Sequence, residues 1–184
     1  MAGKTCWWVD YIIYKLFRRF FQHPRRILRD HVKRGMTVLD VGCGSGFFSL
    51  GMAKMVGVKG RVISVDLQTE TIESLKKRAA RAGLRERIEP RVCSDRTLEI
   101  DDLAGQVDFA LAFYVVHHAA DAPGLMMEVH RALKPEGKFL IVEPGHHASA
   151  AECEATETAA QQAGFTVADH PKLTRDWAVM LVKS

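Results

Sequence analysis

Three acidic residues close three successive short apolar runs: Asp40 in TVLDV, Asp66 in RVISVD and Asp95 in RVCSD. Directly after the first comes a turn with glycines at 42, 44 and 46, within the stretch TVLDVGCGSGFFSL (37–50). Glycine lets a ligand approach the backbone without meeting a Cβ, and a carboxylate at a strand end accepts hydrogen bonds from hydroxyls or amines. A P-loop is excluded, because no Lys-Ser or Lys-Thr pair follows the glycines. The dinucleotide fingerprint G-x-G-x-x-G fits poorly, since Phe47 stands where its third glycine would fall. Asp40, two residues before Gly42, would repel a pyrophosphate but suits a ligand's ammonium group, directly or through water. Asp66 suits ribose hydroxyls, Leu67 offers an apolar face to a base, and Asp95 suits an exocyclic amine. Taken singly, each of these acids reads equally well as a turn or cap residue.

Other groups follow later runs. Tyr114, His117 and His118 lie in FYVVHH, and Glu143, His146 and His147 in EPGHH. A histidine can take a proton from a hydroxyl, thiol or amine near neutral pH, or it can pack or cap the next helix. Two histidine pairs also raise a metal site, but adjacent histidines tend to point apart, and no metal is expected. The cysteines, Cys6, Cys43, Cys93 and Cys153, form no CxxC pair, which argues against structural zinc and a disulfide framework. A reducing cytoplasmic location is the expectation.

The elements that must hold these groups alternate. Strands are predicted at 37–41, 61–66, 88–94, 107–113 and 138–144, with Pro90 marking an edge strand. Helices are predicted at 47–56, 69–83, 123–135 (stopped by Pro135-Glu136-Gly137) and 148–164. Two final strands, FTVADH and WAVMLVK, have no helix between them and should add antiparallel pairing. The pattern is α/β: a doubly wound, mostly parallel sheet with helices on both faces. With 47 % apolar residues in 184, the chain can bury a core.

Much of the formal +4 charge is concentrated in YKLFRRFFQHPRRILRDHVKR (14–34), and the remainder mixes both signs, so no nucleic-acid footprint is expected. Ile12, Leu16 and Phe20 recur every four residues, with Lys15, Arg18 and Arg19 nearer the opposite face. These charges argue against both a signal peptide and a spanning helix. Pro24 should break this helix and start a short second one. Residues 1–34 thus read as a helical segment and 35–184 as the main domain. The segment reads as part of the core, as a lid, or as a peripheral contact with an anionic membrane.

The motifs VLDVGCGSG (38–46), VISVDLQ (62–68), CSD (93–95), VDFALAFYVVHHAAD (107–121) and RALKPEGKFLIVEP (131–144) together resemble the class I S-adenosylmethionine-dependent methyltransferases, in their small-molecule branch (type 11/31). The resemblance implies a Rossmann-like seven-stranded sheet of order 3-2-1-4-5-7-6 with an antiparallel last strand. It also implies S-adenosylmethionine on Asp40, Gly42, Cys43, Gly44, Gly46, Asp66, Leu67, Ser94, Asp95, Arg96 and Phe113, with S-adenosylhomocysteine as product. Phe113 would lie near the transferring methyl, and His117 and His118 are candidate catalytic residues. The expected acceptor is a small molecule. The Asp/Asn-Pro-Pro-Tyr/Phe signature of amino-group nucleic-acid enzymes is absent, which argues against base-flipping chemistry. The alternatives are a non-catalytic cofactor-binding protein, a membrane-surface enzyme acting on a lipid or quinone, and other chemistry on the same fold, such as aminopropyl transfer or nucleotide-linked redox work.

Overall fold

A computed structural model of the chain describes residues 22–145 and 149–184. Its centre is a seven-stranded sheet of order β3-β2-β1-β4-β5-β7-β6. In chain order the elements are α1 (Pro24–Leu28), β1 (Thr37–Val41), α2 (Phe47–Val56), β2 (Arg61–Asp66), α3 (Thr69–Arg81) and β3 (Ile88–Val92). They continue with β4 (Val107–Phe113), α4 (Ala122–Ala132), β5 (Leu133–Pro144), α5 (Ala150–Gln162), β6 (Phe165–Asp169) and β7 (Asp176–Lys183).

The β1, β2, β3, β4 and β5 pairings are parallel, and β7 runs antiparallel to both β5 and β6. Strand order therefore reverses between β1 and β4, where Val41 pairs with Ala112. A crevice at the carboxyl ends of the strands opens at such a reversal. Pro90 sits on β3, an edge strand as expected, where its missing N–H interrupts no second ladder.

Each sheet face buries its own core. Val41, Ile63, Ala110, Phe139 and Ile141 pack toward Met126 and Val129 of α4 and Ala160 of α5. Val38, Val62, Phe109, Leu111 and Leu140 pack toward Met52 of α2 and Leu75 of α3. The short helix that Pro24 opens is present, with the proline in its first turn. Leu28 and Val32 are buried in this second core, so the chain from Pro24 onward packs onto the main domain. The aromatic stripe at Ile12, Leu16 and Phe20 lies outside the described residues.

One boundary differs in kind. The helix expected over 123–135 ends at Ala132, and residues Leu133 to Pro144 all belong to β5. Leu133 is fully buried and pairs with Val107, and Pro135 disfavours a helical conformation at Lys134. Pro135-Glu136-Gly137 forms an irregularity inside the strand, where the register jumps from Val107 to Phe109 and Glu136 adopts φ +62°.

Candidate functional site

The turn from β1 into α2 lies at the sheet's reversal point, and its glycines do different work. A Cβ on Gly42 would sit 2.4 Å from Val115 Cγ2, whereas one on Gly44 would meet nothing within 4 Å. Gly42 thus allows the turn to pack on the loop after β4, while Gly44 faces open crevice. Both have positive φ, +63° and +52°. Gly44→Ala is therefore expected to cost about 1–2 kcal/mol of stability from backbone strain alone. It should weaken a ligand seated on the turn at least tenfold, which thermal melting and calorimetry on one preparation would separate.

Asp66, at the end of β2, locks this turn. Its Oδ2 accepts the Gly44 N–H at 2.8 Å, and its Oδ1 accepts the Gln68 N–H at 2.9 Å and the Thr71 hydroxyl at 3.0 Å. A carboxylate offers about four acceptor positions, so Oδ2 retains one for a ligand hydroxyl. Leu67 beside it is 56 % exposed, an apolar side chain held at the mouth of a cavity. Asp40 is placed differently: it is buried at the end of β1 and accepts the hydroxyl of Ser49, in the first turns of α2. Cys43 is also buried, its sulfur turned back toward the Gly44 carbonyl.

The loops after β1, β2, β3 and β4 enclose a cavity of about 150 Å³. Gly42, Leu67, Ser94, Asp95, Arg96 and His118 all line it. The β3 loop is pinned by Thr97, whose N–H reaches Ser94 Oγ at 3.1 Å, and by Glu128 of α4, which accepts the Leu98 N–H at 2.9 Å. Asp95 makes no hydrogen bond to the described residues, so its carboxylate is available. The cavity is the size of a purine ring. Asp95, Asp121 and Glu128 in its lining, with Asp66 alongside, outnumber the one lining guanidinium, Arg96, which disfavours a pyrophosphate and suits a nucleoside with a cationic tail. Burial pushes the Cys43 thiol well up and the Cys93 thiol to about 11, so neither is a nucleophile at neutral pH.

Beyond β4 the expected residues separate. Phe113 is buried against Phe48, ring centroids 4.4 Å apart, and does not line the cavity. Tyr114 follows at φ +63°, a conformation that non-glycine residues adopt at a cost. Its hydroxyl donates to Asp176 Oδ1 at 2.5 Å and receives Gln22 Nε2 at 2.5 Å. The next turn, Val116–His118, is organised by Glu143 at the end of β5. Glu143 Oε1 accepts the N–H groups of Val116 at 2.8 Å and His117 at 3.3 Å, and its Oε2 bonds His117 Nδ1. Glu143 is only 4 % exposed. Burial raises its pKa above the usual carboxylate range, against the opposing pull of His117 and the two N–H groups.

The His117 and His118 rings lie against each other, tilted by 44° with centroids 3.8 Å apart, and neither caps α4, whose cap is Asp121 accepting from Gly124 at 2.9 Å. Among the described residues no group of three or more His, Cys, Asp or Glu is placed to hold a metal ion, and His146 and His147 lie outside the described residues. Sequence reasoning missed Ser49, Gln22, Thr71 and Asp176. Thr71, five residues after Asp66 at the start of a helix, carried the clearest local signal.

Known proteins place these features in context. A family model described as a methyltransferase domain matches residues 32–182. The chain is 34 % identical over 111 residues to the 2-phytyl-1,4-naphtoquinone methyltransferase of Nostoc punctiforme, covering 60 % of this chain and 47 % of that protein. It is 28 % identical over 121 residues to the demethylmenaquinone methyltransferase of Symbiobacterium thermophilum, covering 66 % of this chain and 47 % of that protein. The chain thus spans about half the length of these curated relatives. A crystal structure of a SAM-dependent methyltransferase from Aquifex aeolicus superposes with a TM-score of 0.82 at 24 % identity, over 95 % of this chain and 98 % of the other. With its sheet order, glycine turn and matched span together, the chain belongs to the methyltransferase-domain family and has the class I fold of that family.

Proposed function

We propose that this domain binds S-adenosylmethionine and transfers its methyl group to a small-molecule acceptor by direct displacement, releasing S-adenosylhomocysteine. The observation that carries this reading is the clasp of Gly44 N–H on Asp66 beside the 150 Å³ cavity. It joins a tight backbone cradle, a ribose-type acceptor and a base-sized recess in one crevice. The bound sulfonium supplies an activated methyl group. The domain's own task is to orient the acceptor and exclude water, and orientation alone is worth as much as ~7–11 kcal/mol. Gly44 would receive the amino-acid tail, Asp66 a ribose hydroxyl, Leu67 a face of the base, and Asp95 its exocyclic amine. Asp40, held by Ser49, would meet the ammonium through water.

Calorimetric titration with S-adenosylmethionine, S-adenosylhomocysteine and NAD tests this assignment. Binding of the first two with NAD silent is the expected result. Binding of NAD alone would overturn it.

A second reading, transfer to a lipid-like quinone at an anionic surface, is favoured by a basic groove between α1 and α2. Arg25, Arg29, Lys33, Arg34, Lys54 and Arg78 line it together with Phe47 and Leu50, and no carboxylate among the described residues does. The two relatives described above are named as methyltransferases of 2-phytyl-1,4-naphtoquinone and demethylmenaquinone. No helix among the described residues is long and apolar enough to cross a membrane, so contact would be peripheral. Vesicles containing acidic lipid should retain the protein at low salt and release it as screening shortens the charge interaction. Equal retention on neutral vesicles would sink this second reading.

A further inference from the structure

Two side chains hold the glycine turn, and they belong to different surfaces. Asp66 clasps the Gly44 N–H at 2.8 Å beside the base-sized recess. Arg78, in the last turn of α3, donates from Nη1 to the Ser45 carbonyl at 2.5 Å and to Ser45 Oγ at 2.9 Å. Neither Ser45 nor Arg78 lines the recess; Arg78 lines the basic groove between α1 and α2. One guanidinium thus touches both the groove and the turn proposed to carry the cofactor's tail.

Arg78 is half-buried, and its Nε and Nη2 make no hydrogen bond to the described residues. Ser45 occupies Nη1, so the edge formed by Nε and Nη2 is left with two parallel N–H donors. Such an edge matches two oxygens of a phosphate. The rest of the groove also selects an anion. Arg25, Lys33, Arg34 and Lys54 form no ion pair with the described residues, and Arg29 has only the exposed Asp30, 3.6 Å away. The groove has a volume of about 910 Å³, and the half-buried Phe47 and Leu50 of α2 are in its wall. Inorganic phosphate would use the cations and none of this apolar surface. An acidic phospholipid uses both, its phosphate on the guanidinium and its glycerol and first methylenes along Phe47 and Leu50.

We propose, resting on the cofactor-binding and membrane-surface readings above, that an acidic phospholipid in this groove tightens cofactor binding through Arg78. Its Nε–Nη2 edge holds the lipid phosphate while its Nη1 holds Ser45. An arginine tethered at one nitrogen still samples other rotamers, and each departure releases the Ser45 carbonyl. A phosphate on the free edge suppresses those departures, so the turn is already ordered when the nucleoside arrives. Linkage makes the effect reciprocal, and the cofactor tightens lipid binding by the same factor. The domain thereby holds its methyl donor best at the surface where a lipid-soluble acceptor is dissolved.

The test measures S-adenosylhomocysteine affinity by equilibrium dialysis at low salt under four conditions. These are buffer alone, phosphatidylcholine vesicles, vesicles of equal parts phosphatidylcholine and phosphatidylglycerol, and inorganic phosphate at the same phosphorus concentration. The mixed vesicles should tighten binding about fivefold, at the modest end of couplings between two sites. Saturating S-adenosylhomocysteine should raise the protein's partition onto these vesicles by the same factor. Arg78→Lys keeps the charge but offers no fork, so it should stay on the vesicles and lose the tightening in both directions. Lys33→Glu combined with Lys54→Glu should release the protein from the vesicles and abolish the tightening as well.

Equal affinity with and without mixed vesicles, measured while the parent is vesicle-bound, would overturn the coupling. An undiminished effect in Arg78→Lys would do the same. Full tightening by inorganic phosphate alone would overturn the assignment to a lipid. A parent that never binds the mixed vesicles would overturn the membrane-surface reading, and one that never binds S-adenosylhomocysteine the cofactor reading. Either of those results takes the coupling with it.

Discussion

Replacing Asp66 by alanine is expected to weaken S-adenosylmethionine binding about 10- to 100-fold, with little change in melting temperature. One ribose hydroxyl on an ionised carboxylate contributes about 1.5–3 kcal/mol, a loss of roughly one to two orders of magnitude. The same substitution frees the Gly44 N–H, which Asp66 holds at 2.8 Å, so the cradle for the ligand's tail loosens as well. Stability should move by only about 1 kcal/mol, because the Gln68 N–H is exposed, the Gly44 N–H faces the open crevice, and the Thr71 hydroxyl keeps its bond to the Gln68 carbonyl. Asp66→Asn keeps one carbonyl oxygen and should lie between the two. Calorimetry and a thermal melt on each variant decide the matter. Unchanged affinity in Asp66→Ala would remove Asp66 from the site.

Gly42→Ala should instead strike the fold. A methyl group there lies 2.4 and 2.9 Å from the two Cγ atoms of Val115 and 3.2 Å from its Cβ, so even after a side-chain rotation a tight contact to the Cβ remains. Left-handed strain at φ +63° adds about 1–2 kcal/mol to an overpacking cost of about 1–3 kcal/mol. The summed loss, roughly 2–5 kcal/mol, is a large share of a typical domain's stability. Val115 leads directly into the Val116–His118 turn, so the base-sized cavity should be disturbed. Adding Val115→Ala to Gly42→Ala should restore the steric part and leave the backbone part, giving a clear coupling energy in denaturant unfolding. Simple additivity of the two changes would show that the contact with Val115 is not what Gly42 provides.

Local chemistry made much of this fold legible. β1, α2, β2 and β4 begin and end where the residues predict, because each apolar run is closed by an acid, a glycine or an aromatic turn. Several other boundaries moved by one to five residues, and two of these shifts trace to signals that compete or were overlooked. At Ala132 the helical pattern continues through Leu133, but Leu133 gains more by pairing with Val107 inside the sheet. At α5 the start moves to Ala150 because Ser149 and Glu152 form a capping box, an S-x-x-E pattern present in the sequence.

The site divides along the same line. Asp66, Leu67, Ser94, Asp95 and Arg96 were readable because each follows a strand closely, and parallel strands deliver their ends to one edge. The pairing of His117 with Glu143 spans 26 residues and depends on the β4–β5 register, which places Phe113 against Val142. The Tyr114–Asp176 bond spans 62 residues and the Gln22–Asp176 bond 154, distances at which no local pattern operates. Spacing could nominate two histidines. Only the sheet could say which one has a carboxylate behind it.

The central claim is that four loops from separate parts of the chain form one site for one nucleoside. Amide hydrogen exchange with and without saturating S-adenosylhomocysteine measures this directly. Protection is expected together at Gly42–Gly46, at Leu67–Gln68, at Ser94–Leu98 and at Val115–Asp121, with the α3–β3 face unchanged. Binding that protects only one of these loops, or a different face of the domain, would contradict the account.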